Sequence, residues 1–170
     1  FRTLDVKNRV FRSSLAGRFN NYDGTGNQAH VNWDLKFARG GVGAIISSNA
    51  PVHPRGLIVP NYAHIDRDET TPFWREVVRR VHEHDCRYIV QLAFSGRQRD
   101  LGGIQFEKGW SSTDKPEPIH GLRCERMTDK GDRNPSRHVE RWLERKQREQ
   151  PVHRTPDPVH TLTAPRPDRR

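Results

Sequence analysis

Two short runs dominated by apolar side chains, residues 42–46 and 88–92, constrain the fold more than anything else in this chain. Runs of that length without polar alternation are what strands covered on both faces require. Each follows a segment with helical spacing. From Asn27 the apolar positions Ala29, Trp33 and Phe37 recur every fourth residue, and Gly40-Gly41 supplies the stop. Thr71-Pro72 reads as an N-cap hydroxyl followed by proline at the first helical position, with Phe73, Val77 and Val81 lining one side of the helix beyond it. Ahead of both, residues 6–14 set Val6, Val10 and Phe11 between polar neighbours, the pattern of a further strand. Strand, helix, strand, helix, strand is the order of βαβ units on a parallel sheet, so the expected fold class is α/β.

That texture stops near Met127. Of the chain's 170 residues, 128–170 hold 11 of the 30 Lys and Arg, 7 of the 21 Asp and Glu, and six of the twelve prolines. Their apolar side chains are Val139, Trp142, Leu143, Val152, Val159, Leu162 and Ala164, too few to offset the entropy of ordering the backbone. Residues 151–170 are expected to be disordered. Residues 136–150 could form a short helix with Val139, Trp142 and Leu143 on one face, which would need a partner surface to persist. The formal net charge of +9 raises nucleic-acid binding. Against it, Glu140, Glu144 and Glu149 alternate with Arg141, Arg145 and Arg148, and Trp142 is the only stacking aromatic there, so no nucleic-acid role is expected. No stretch approaches the roughly 20 apolar residues of a membrane span, and the start lacks a basic-then-apolar signal pattern. Cys86 and Cys124 are too few for a disulfide framework and lack metal-ligand spacing. A soluble cytoplasmic protein that touches no membrane is the expectation.

Two local patterns invite chemistry and fail. Gly24-Thr25-Gly26-Asn27-Gln28-Ala29 fits a dinucleotide fingerprint, but a polar turn precedes it where a buried strand belongs, and no acidic residue follows the next strand at Ser47-Ser48-Asn49. It reads as a turn and a helix start. In His82-Glu83-His84-Asp85-Cys86 the two histidines are two apart, about 200° around a helix, so they cannot share an ion there. His138, His153 and His160 have no ligand spacing. No metal site is expected.

Three segments together resemble the Old Yellow Enzyme family of FMN-dependent NAD(P)H oxidoreductases, which includes 2,4-dienoyl-CoA reductase-like enzymes. They are Lys7-Asn8-Arg9-Val10-Phe11-Arg12-Ser13-Ser14, then Ala38-Arg39-Gly40-Gly41-Val42-Gly43-Ala44-Ile45-Ile46-Ser47, then Tyr88-Ile89-Val90-Gln91-Leu92 with Ser95-Gly96-Arg97-Gln98. Their order and spacing carry the likeness, which runs to about residue 128. The resemblance implies a TIM (β/α)8 barrel, of which residues 1–128 would be about three βα units, with its site at the carboxyl ends of the strands. It implies FMN as cofactor, NAD(P)H as hydride donor and a small-molecule substrate, an activated alkene such as an enone or enoyl thioester. By the same likeness, backbone groups of Ser14, Leu15 and Ala16 would support the flavin, Asn49 would pack close to it, and the Gln91 amide would meet its pyrimidine edge.

The pattern also departs from the family. Ala16 stands where many members carry Thr or Cys, Asn49 where Gly or Ala is usual, and Phe94 where His is frequent. No segment matches the family's His-His or His-Asn pair, its Tyr proton donor or its phosphate-gripping Arg, so no catalytic residue is assigned. Residues 127–128 resemble the lead-in to the next helix, and the likeness ends there. Residues 129–170 are therefore read as an Arg/Pro-rich tail, out of frame or otherwise foreign. Three strands cannot close a barrel, so the first and third would present open edges, and the chain alone is expected to turn over little. The competing readings are a non-catalytic barrel fragment that needs a complementing fragment to fold, and a basic binding module built on the tail.

Overall fold

The computed structural model describes residues 4–99 and 108–127, together with Glu140 and Glu144. A parallel sheet runs in the order β1 (Phe11–Arg12), β2 (Ala44–Pro51), β3 (Arg87–Ala93), with α1 (Gln28–Arg39) and α2 (Thr71–His82) in the two connections. One core joins the helices to the sheet: Val31, Leu35 and Ala38 of α1, Val77 and Val81 of α2, Ile45 of β2, and Cys86. Each large aliphatic side chain sealed there contributes about 1.5–3 kcal/mol.

Both helices lie where the spacing puts them, with shifted details. Asn27 caps α1, its Oδ1 accepting from the amides of Ala29 and His30, and Gly41 at φ +90° ends it in the left-handed conformation that glycine tolerates. The buried face of α1 is His30, Val31, Asp34, Leu35 and Ala38. Ala29 is exposed, and Trp33 and Phe37 are half-buried flanks. The helix is rolled toward its polar side because His30 and Asp34 find partners inside. In α2 the cap position is Thr70, whose hydroxyl donates to the Arg67 carbonyl, so Thr71 is the first helical residue and its hydroxyl is not the cap.

The strands depart further. β1 is two residues long because Asn8 Oδ1 takes the Val10 amide at 3.0 Å, diverting it from the ladder. β2 continues five residues past Ile46, through buried Ser47 and Ser48. β3 is not covered on both faces: none of its residues is fully buried, and Leu92 is 38% exposed. Among the described residues no strand pairs with its outer side, so β1 and β3 are the sheet's edges, as expected for an unclosed barrel.

Residues 109–127 form a small unit that the sequence pattern did not suggest. β4 (Gly109–Ser111) pairs in parallel with β5 (Cys124–Arg126), and the Met127 amide extends the ladder to the Ser111 carbonyl, so this segment is ribbon. Strands of three residues are too short to carry a periodicity. Trp110 anchors the ribbon, lying 4.7 Å from the His53 ring and 4.7 Å from the Arg55 guanidinium. Gly24, at φ +81°, sits in a turn closed by Asp23 Oδ1 accepting from Thr25, with no strand leading directly into it, so the fingerprint is a turn and a helix start. The expected tail disorder and the 136–150 helix lie outside the described residues, apart from Glu140 and Glu144, which are helical and exposed. No described helix is long and apolar enough to cross a membrane.

Candidate functional site

Parallel strands deliver their carboxyl ends to one edge, and each residue named from the resemblance lies there. After β1 the Arg12 guanidinium donates to the carbonyls of Ser13 and Leu15, folding the chain back over the strand end. Ser14 is half-buried, while Leu15 and Ala16 are exposed.

Asn49 and Gln91 meet directly. Gln91 Nε2 donates to Asn49 Oδ1 at 2.8 Å. A β-bulge makes this contact: Ile46 pairs with Ile89 and Asn49 with Gln91, so β2 carries one residue more than β3 between the two pairs. An unshifted register would set Ser48 opposite Gln91. The Ser47 hydroxyl replaces the backbone bond that the bulge removes, accepting from the Gln91 amide at 2.9 Å while donating to the Ser48 carbonyl.

Asn49 and Gln91 line an open cleft of about 310 Å³ with Ile58, Tyr62, Leu92 and Gln98. The loop after β2 forms its far wall, where Ser95 donates from both its amide and its hydroxyl to the Gly56 carbonyl. A Cβ at Gly56 would lie 2.3 Å from the Phe94 ring, so any larger residue there would displace that ring. Burial pushes the Tyr62 phenol up from its ordinary value, against a smaller downward pull from Arg18, so it stays a hydroxyl at neutral pH. Ser14, Leu15 and Ala16 do not line this cleft. The sequence reading missed Ile58, Tyr62 and Gln98, which sit in irregular loop or a single 3₁₀ turn where periodicity carries no signal.

A second, smaller cleft of about 190 Å³ lies between Tyr22, Asp23, Pro54, Leu57, Pro60, His64 and Arg67. A buried polar network joins α1 to both edge strands of the sheet. Asp34 receives the Arg12 guanidinium on one oxygen and the Tyr88 hydroxyl on the other, and His30 Nε2 lies 3.3 Å away. His30 Nδ1 in turn meets Asn20 Oδ1 at 3.0 Å. Burial, then the Asp34 charge, push the Tyr88 phenol well above its ordinary value, so it acts as a donor.

Three consecutive parallel strands with helices in the connections are the βα units of which a βα barrel is built. The chain belongs to the NADH:flavin oxidoreductase / NADH oxidase family, whose pattern it matches over residues 1–133. It is 31% identical over 100 residues to an NADH oxidase of Thermoanaerobacter brockii, covering 58% of this chain and 15% of that protein. It is 29% identical over 127 residues to an NADPH dehydrogenase of Halalkalibacterium halodurans, covering 74% of this chain and 38% of that one. The chain thus spans well under half of either relative. Among solved structures, morphinone reductase in complex with tetrahydroNAD superposes with a TM-score of 0.67 at 19% identity, over 86% of this chain and 44% of that one. The Old Yellow Enzyme homologue from Zymomonas mobilis gives 0.65 at 18%, over 84% and 40%. These likenesses place the described sheet and helices in the fold of one part of such a barrel.

Proposed function

We propose that this chain carries part of the flavin site of an FMN-dependent oxidoreductase that takes hydride from NAD(P)H and delivers it to an activated alkene, an enone or enoyl thioester. The observation that carries this reading is the Asn49–Gln91 amide pair at adjacent strand ends, within the span matched by the family. The donor set fits one part of FMN. A carboxamide both donates and accepts, as the pyrimidine edge of the ring system does, and Gln91 is exposed enough to meet it. Ser14, Leu15 and Ala16 would support the ring with backbone groups, and Asn49 would pack beside it. Bound FMN would supply the hydride chemistry; these residues would orient it and exclude water from one side. No described residue is assigned to grip the phosphate or to donate a proton to substrate, so this is a partial site.

The open edges of β1 and β3 and the exposure of β3 favour a companion reading of the same residues. The neighbouring barrel strands, supplied by a complementing fragment, would cover the sheet, and turnover by these residues alone would be low. The test is titration of the purified chain with FMN, followed by flavin fluorescence. Saturable binding is expected, and Gln91→Ala is expected to weaken it about tenfold, the scale of losing a hydrogen-bonded group from a site built around it. Unsaturable binding by the wild-type chain, or identical curves for the two proteins, would remove the reading.

A further inference from the structure

Asn49 departs from the small residue usual at the end of the second strand, and the bulge that places it opposite Gln91 gives the departure a consequence. Gln91 Nε2 is committed to Asn49 Oδ1 at 2.8 Å. Among the described residues, neither Gln91 Oε1 nor Asn49 Nδ2 has a protein partner, and both side chains line the same cleft. With that one bond made, the Gln91 carbonyl oxygen and the Asn49 amino group stay wholly uncommitted, an acceptor and a donor for a ligand. Reversing both amides exchanges which residue supplies which but leaves the same set.

We propose that Asn49 and Gln91 act as one unit that reads the imide edge of the flavin's pyrimidine ring, Gln91 Oε1 accepting from the ring N3–H and Asn49 Nδ2 donating to the carbonyl beside it. A lone glutamine amide is free to rotate and can present either end to a ligand. Here Asn49 fixes the orientation before the ligand arrives, which lowers the entropic cost of binding and favours a ring that carries the N3–H. The backbone supports the arrangement, because the Ser47 hydroxyl holds the Gln91 amide at the bulge and so keeps the two side chains in register. Asn49 is on this account a specificity-determining residue, selecting a ring with an N–H flanked by a carbonyl.

The proposal rests on the flavin reading above, and its test separates the two. The full chain and its Asn49→Ala variant are titrated with FMN and with N3-methyl FMN, after melts establish that both proteins are folded. The wild type is expected to bind FMN about tenfold more tightly than the methylated flavin, since an acceptor facing a methyl group is left unsatisfied. Asn49→Ala is expected to lose most of that discrimination, because Gln91 can then turn its donor end to the ring. Equal wild-type affinity for the two flavins overturns the proposal without any variant. Full discrimination retained by Asn49→Ala overturns it too, leaving Gln91 as the sole reader and the flavin reading intact. Absence of FMN binding by the wild type removes both.

Discussion

Replacing Asp34 by alanine is expected to cost about 3–5 kcal/mol, a large fraction of the roughly 5–15 kcal/mol by which a whole domain is stable. Asp34 is fully buried, and the Arg12 side chain that it neutralises is 3% exposed. The variant would leave a guanidinium inside the protein without a countercharge, and would strip the Tyr88 hydroxyl and His30 of their shared acceptor. Arg12 belongs to β1, Tyr88 to β3 and Asp34 to α1, so the loss loosens both edge strands together. The same group sets an acid limit. Burial pushes the Asp34 carboxyl up, but the hydrogen bond and charge of His30, then Tyr88 and Arg12, outweigh it and hold the group below its ordinary value. A carboxyl lowered by folding stabilises the protein above the unfolded range, about pH 4, and that contribution is lost as pH falls through the folded value. Thermal melts between pH 3 and 7 are expected to show wild-type stability falling at the acid end (a pH window following from the unfolded carboxyl at about 4), with Asp34→Ala low throughout. A variant that melts like the wild type would mean that the network carries no weight.

Trp74→Ala is the second large effect, about 3–5 kcal/mol from the cavity and lost packing. Trp74, on α2, is 4% exposed among Ala50, Val52, Ala63 and Ile65, and its ring meets those of His30 and Phe73 edge-on. Its indole N–H donates to the His64 carbonyl at 2.8 Å, tying down the loop that carries Gly56, Ile58 and Tyr62 to the cleft. Trp74→Phe keeps most of the volume and loses that bond, so it is expected to cost only about 0.5–1.5 kcal/mol for the bond and less than 3 kcal/mol in all. Denaturant melts of both variants separate packing from tethering. If Trp74→Phe were as damaging as the alanine variant, the loop tether rather than the core would be the main role of the residue.

The βαβ order was legible because residues 42–46 form a continuous apolar run and the two helical stretches keep helical spacing, and Asn27 and Gly40-Gly41 are strong end signals. What the pattern hid has a common cause: polar side chains turned inward. Arg12, His30 and Asp34 are polar residues that carry no apolar period and are buried only through a shared network, and Ser47-Ser48 reads as a strand's end until a bulge makes the Ser47 hydroxyl part of the ladder. Period-two alternation cannot register a single inserted residue, so Asn49 and Gln91 could be named separately from the resemblance while their contact could not. Residues 88–92 carry a buried strand's composition, yet β3 is exposed, because composition records the neighbours a strand is built for and exposure records those it has.

The central claim is that the carboxyl ends of β1, β2 and β3 form a flavin-holding surface. The most direct test is a titration of the isotopically labelled chain with FMN, followed by its assigned backbone and side-chain amide resonances. The account predicts saturable shifts concentrated at Ser14–Ala16, at Asn49 and at Gln91, with both carboxamide side chains moving together. Shifts confined to Tyr22, His64 and Arg67 in the smaller cleft, or none on a spectrum that remains well dispersed, would contradict it.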